Sequence, residues 1–136
     1  PCGSWSCEPC RTRRVMEEIV PEVAAALRLA RKLRVTLKHV VLTWPGDSVA
    51  AEDSPAGAAV RAKHIAALWQ MLRKKNKFAH WLKVAESHKS GRIHFHFLVV
   101  MPGFPREDLV AFWEKLTGAN QLWIESTFFV FGMASP

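Results

Sequence analysis

The chain has 136 residues, 49% of them hydrophobic, and a net charge of +7. That length suits one domain with one core, and no apolar run is long enough to span a membrane or to read as a signal peptide. The basic balance points to a polyanionic partner, nucleic acid before an acidic membrane surface.

Three cysteines, Cys2, Cys7 and Cys10, lie within the first ten residues. An odd, clustered set argues against a disulfide framework. The same donors suit a zinc site in a reducing compartment, with a fourth ligand supplied from elsewhere. Free surface thiols are the alternative. Arg11–Arg34 has helical composition, interrupted at Pro21, with Arg28, Arg31, Lys32 and Arg34 near its end. There they complement the helix dipole or meet phosphate. Val35–Thr43 alternates as a strand and ends in a turn at 45–48. His39 lies in that strand as a half-exposed histidine, joining a metal face only if the sheet register allows it.

Residues 49–57 read as a small-residue loop. Ala58–Asn76 is an amphipathic helix whose Ile65, Leu68, Trp69 and Leu72 follow the helical spacing. Its cations Arg61, Lys63, Arg73, Lys74 and Lys75, with Lys77 beyond, form either a solvated face or a set of phosphate contacts. Phe78–Met101 reads as a β-hairpin whose polar connection, Ser87–Arg92, contributes Lys89 and Arg92. Alternate strand residues share a face, so His94 and His96 project together, away from Ile93, Phe95, Phe97, Val99 and Met101. If the hairpin registers Glu86 opposite His94, the three side chains converge into a metal site with open positions. A further helix starts near Pro105 and carries Leu109, Phe112, Trp113 and Leu116, with Gly118 as its cap. Leu122–Phe131 is a last strand or pair of strands. This order predicts an α+β fold: an antiparallel sheet of about four to five strands with helices packed on one face. It is one compact domain, with residues 1–34 as a Cys-rich segment plus helix and 35–136 as its main body.

The run Glu86-Ser-His-Lys-Ser-Gly-Arg-Ile-His94-Phe95-His96 resembles the His-hydrophobe-His motif of HUH endonucleases, in the form found in replication initiators of rolling-circle plasmids and small single-stranded DNA phages. Val40-Val41-Leu42-Thr43-Trp44 resembles their first strand motif, and Cys2–Cys10 is similar to a Cys-rich N-terminal segment of phage-type initiators. The resemblance runs from about Val35 onward. It implies a ferredoxin-like or RRM-like sheet, and a Mg or Mn ion held by Glu86, His94 and His96. It also implies site-specific nicking of single-stranded DNA or an origin hairpin by a tyrosine nucleophile. The setting would be the cytoplasm of a bacterial host, beside the host replication machinery and away from membranes.

The sequence contains no tyrosine. In the family that residue lies on a helix after the last strands. The chain therefore reads as a truncated nickase or an inactive relative, with truncation preferred, and no residue is assigned as nucleophile. Two other readings share the features: a non-enzymatic nucleic-acid-binding domain, and a tyrosine transposase of the HUH group.

Overall fold

The computed structural model describes residues 7–89, 92–120 and 122–127. Helix α1 (Glu8–Arg14) runs into a five-residue π-type turn, Val15–Ile19, and then into α2 (Val20–Leu33). Pro21 lies in the first turn of α2. It has no N–H to donate to the preceding turn and its ring crowds that turn's carbonyls; the wider π turn takes up the disturbance. Helix α2 stops at Arg34, which is left-handed at φ 58°, and the Arg34 N–H closes on the carbonyls of Ala30 and Arg31.

Strand β1 is Leu37–Leu42. Residues 49–51 form a 3-10 turn, and α3 spans Pro55–Lys75. The helix begins before the amphipathic pattern does because Ser54 caps it: the Gly57 N–H donates to Ser54 Oγ at 3.0 Å, and Pro55 supplies a preset first turn. Strands β2 (His80–Lys89) and β3 (Arg92–Val100) form the hairpin; α4 (Arg106–Thr117) and β4 (Trp123–Thr127) follow. The part of the expected last strand beyond Thr127 lies outside the described residues.

The four strands form one sheet in the order β2-β3-β1-β4, and every adjacent pair is antiparallel. This is the expected α+β architecture. On one face, Phe95, Phe97 and Val99 of β3 and Val40 and Leu42 of β1 pack with Leu68 and Leu72 of α3 and with Leu109 and Trp113 of α4. Trp113 is fully buried and donates its Nε1–H to the carbonyl of Thr43 at 2.9 Å. Trp44 packs edge-on against both Phe95 and Trp113. The opposite face carries a second, smaller core: Leu98 and Val100 of β3 and Leu37 of β1 lie under Val23 and Ala30 of α2. The N-terminal helix thus adds cover on the face left bare in the sequence-based expectation, but only over one end of the sheet. No helix among the described residues is long and apolar enough to cross a membrane.

Arg61, expected at a nucleic-acid surface, is instead 5% exposed. Its Nη1 donates to the carbonyls of Ala50 (2.7 Å) and Glu52 (2.6 Å), and its guanidinium lies 5.9 Å from the centre of the Phe95 ring. A planar cation with several donors suits a tight turn whose carbonyls have no strand partner. Arg61 is therefore a structural clamp on the 49–52 turn, not a phosphate contact.

Arg61→Ala should destabilise the fold by about 2–4 kcal/mol in denaturant unfolding, since it strands two carbonyls that accept from a charged donor. Affinity for nucleic acid should be unchanged. A second expectation concerns pH. Trp44 Nε1–H donates to His64 Nδ1 at 3.0 Å, so that nitrogen must keep its lone pair, and burial lowers the His64 pKa from 6.5. The unfolded imidazole therefore takes up a proton at a higher pH than the folded one. This contribution to stability is complete above pH 6.5 and fades as the pH falls below it. Unfolding midpoints measured between pH 8 and 5 should decline less steeply in His64→Gln than in the parent.

Candidate functional site

The two central strands carry the histidines. His94 and His96 are half-buried and lie on the β3 face that also bears Leu98 and Val100. The hairpin register decides what joins them. From the open end of β2, the pairs are His80↔Val100, Trp81↔Val99, Leu82↔Leu98 and Lys83↔Phe97. The register then shifts between Lys83 and Ala85, and the pairs become Ala85↔His96, Glu86↔Phe95, Ser87↔His94 and Lys89↔Arg92. Val84 is the additional residue, a β-bulge. The registers on its two sides, Lys83↔Phe97 and Lys89↔Arg92, differ by one residue. The mismatch is absorbed inside the strand.

The consequence is a correction. Glu86 pairs with Phe95, so it faces away from His94 and His96. It lies in a groove of about 750 Å³ between α3 and the hairpin, lined also by Trp69, Trp81, Phe95 and Phe97, with its Oε2 3.7 Å from Lys83 Nζ. The expected trio of Glu86, His94 and His96 does not converge.

Two other residues reach the histidines instead. On β1, Val41 pairs with His96 and His39 with Leu98, so His39 shares the histidine face. On β4, Glu125 pairs with His39 and Trp123 with Val41. The His39 and His96 rings stack at 5.3 Å with 20° between their planes, and His39 Nε2 lies 3.1 Å from His96 Nδ1. The other nitrogen of His39, Nδ1, lies 3.2 Å from Glu125 Oε1. In the neutral arrangement His39 Nδ1–H donates to the carboxylate and its Nε2 accepts from His96 Nδ1–H; a protonated His39 donates to both. The side chains of His39 and Glu125 are 26% and 52% exposed, so solvent reaches the chain of contacts from the Glu125 end. Trp123, 61% exposed, stands in the same row as Val41 and His96. Sequence reasoning named His39 only conditionally and missed Glu125. The signal for Glu125 was its place in a strand ending with polar residues, but nothing in the sequence fixes which strand it borders.

Among the described residues no group of three His, Cys, Asp or Glu side chains is arranged to hold a metal ion. The 3.1 Å between His39 Nε2 and His96 Nδ1 is the length of a hydrogen bond between two imidazoles.

The basic residues divide between the faces. Lys63, Arg73, Lys74 and Lys75 belong to α3, behind the sheet as seen from the histidines, and Lys77 follows that helix. Arg73 stacks on Trp69 at 4.9 Å, Lys75 pairs with Asp108 at 2.7 Å, and Lys77 lies over the ring of Phe78. Arg92 is exposed and shares strand parity with His94 and His96. Lys89 is its partner in the ladder, and its side chain lies outside the described residues. Helix α2, over the histidine face, adds exposed Arg28, Lys32 and Arg34. At the N-terminus, Cys7 is half-buried before α1 and Cys10 is buried within it, neither in a disulfide; Cys2 lies outside the described residues.

No protein-family model, curated protein or solved structure matches the chain.

Proposed function

We propose that this chain is a metal-dependent, single-strand DNA nicking domain of the HUH type, here lacking the tyrosine nucleophile. The observation that supports it most is the pair of strand-borne histidines, His94 and His96, on a sheet face that α2 covers only at one end, with a third imidazole, His39, in contact with His96. A divalent ion such as Mg2+ or Mn2+ at those imidazoles would polarise a phosphate oxygen of the bound strand. The chain's own residues do the rest of the positioning. Arg92 shares the histidine face by strand parity, and the exposed Arg28, Lys32 and Arg34 on and just after α2 add positive charge to the outer side of that helix, where they can meet phosphate. Trp123 offers an exposed ring on the same face for a base to stack on. The fold supplies rigidity, since β1 and β3 are the central strands and hold the imidazoles from two sides.

The absence of tyrosine from the sequence favours a second reading, a single-strand nucleic-acid-binding module that uses the same face without cleavage. Both readings require an anionic strand on the histidine face. The cysteine pair Cys7 and Cys10 could still contribute to a zinc site, a separate matter from either.

Binding of a labelled single-stranded oligonucleotide should weaken steeply with salt, as counterions return to the released phosphates. Neutralising Arg92 and Lys32 to Ala should each lower the slope of log affinity against log salt by about 1, whereas Lys74→Ala should leave it nearly unchanged. The opposite ranking would place the strand on α3 and remove the histidines from the reading. On a denaturing gel, incubation with a single-stranded origin-like oligonucleotide and Mn2+ should yield no protein–DNA adduct. Serine and threonine alkoxides are far more basic than a phenolate, whose parent phenol has a pKa of about 10. A shifted band would mean that some other side chain is the nucleophile.

A further inference from the structure

We infer that the groove between α3 and the hairpin binds a guanine mononucleotide, its base read by Glu86 and Lys83, on the side of the sheet away from the histidines. The inference goes beyond the nicking reading and does not depend on it. The bulge at Val84 carries it. In a regular strand, residues three apart point to opposite faces. Lys83 and Glu86 are three apart, yet the register shift between them turns both toward α3, with Lys83 Nζ 3.7 Å from Glu86 Oε2. Bulges commonly re-aim a side chain beside a working site. Here the bulge sets an ammonium donor beside a carboxylate acceptor in a groove of about 750 Å³.

The rest of the groove suits a flat ring. Ala58, Ala62 and Ala66, spaced one helical turn apart on α3, are exposed along it, and their small side chains leave its width open. Trp69 of α3 and Trp81 of β2, both half-buried, meet edge-on at 4.9 Å, and Trp81 lies 4.5 Å from the Phe97 ring. Aromatic walls of this kind take any planar base. The polar pair then selects among bases. Guanine presents an acceptor, O6, next to two donors, N1–H and N2–H, on one edge. The Glu86 carboxylate accepts both N–H groups and Lys83 donates to O6, each a charge-assisted bond. A carboxylate has about four lone-pair sites, so Glu86 keeps its present neighbours while it does so. Adenine and cytosine lack the second adjacent N–H, and uracil would set a carbonyl against the carboxylate. Rings with a carboxylate also suit an organic cation. Against that occupant, the Lys83 ammonium already lies 4.2 Å from the centre of the Phe95 ring, and the chain's net charge of +7 repels cations and attracts a nucleotide's phosphate.

The test is titration of the whole chain with GMP, read by the indole N–H NMR signals of Trp69 and Trp81 and by calorimetry. Circular dichroism establishes that each variant is folded. GMP should shift both signals in the parent, while AMP, CMP and UMP should bind at least about tenfold more weakly. Glu86→Gln should weaken GMP binding by about 10-fold or more. Ala62→Leu, which fills the groove from an exposed helix position, should abolish it. Equal shifts from GMP and AMP would overturn the guanine assignment. Shifts from a guanine-containing single strand as large as those from GMP would overturn the mononucleotide and make the groove part of a strand's path. No shift at millimolar GMP would remove the site and leave the nicking reading standing.

Discussion

The pairing of β2 with β3 governs which side chains can act together, because a strand's two faces exchange at every residue. Between His80 and Lys83 the ladder sends Trp81 and Lys83 toward α3 and Leu82 toward α2. A strand that kept this register would bring Glu86 opposite His94. The pairing of Lys89 with Arg92 lies one residue out of that register, and the additional residue, Val84, absorbs the difference beside the small core under α2. A single extra residue thus moves a carboxylate from one environment to another: out of reach of three imidazoles, into a groove lined by Trp69, Trp81, Phe95 and Phe97.

The two sides of the sheet have different work. The α3–α4 side is the larger core, closed by aromatic edge contacts and by the Trp113 and Arg61 hydrogen bonds to backbone carbonyls. Its job is to hold β1 and β3 flat against a rigid layer. The α2 side is only partly filled, and the polar end of the sheet lies there. Because the imidazoles stand on strands whose other face is fully packed, their separation is set by the main core and not by their own weak contact. A pair of half-exposed imidazoles could not maintain a 3.1 Å approach alone, since one neutral hydrogen bond contributes only about 1 kcal/mol in net terms.

Much of this architecture was legible in the residues. The alternation in Ile93–Met101 separated its two faces, although α2 buries Leu98 and Val100 on the face expected to be open, and the 3.6-residue spacing found α3 and α4 through Leu68, Leu72, Leu109 and Trp113. What escaped the sequence was every feature set by relations between strands. Glu86 was misplaced because a bulge has no local signature in Lys83-Val-Ala-Glu. Glu125 was missed because its neighbour, His39, is 86 residues away in the chain. Arg61 was read as a surface cation because it sits within a basic helix, and only the turn at 49–52 shows why the fold draws it inward.

The π turn before Pro21 has a consequence for α1 and the cysteines. One added residue in a helix advances its phase by about 100°, since an α-helix turns once in 3.6 residues. A helical wheel drawn straight through Val15–Ile19 would therefore misplace α1 by that angle relative to the α2 stripe that rests on Leu98 and Val100. Within α1, Cys10 turns inward while Arg11 and Arg13 stay in solvent. Loss of one residue from this turn would leave composition and charge almost untouched and yet rotate the whole N-terminal segment about its axis.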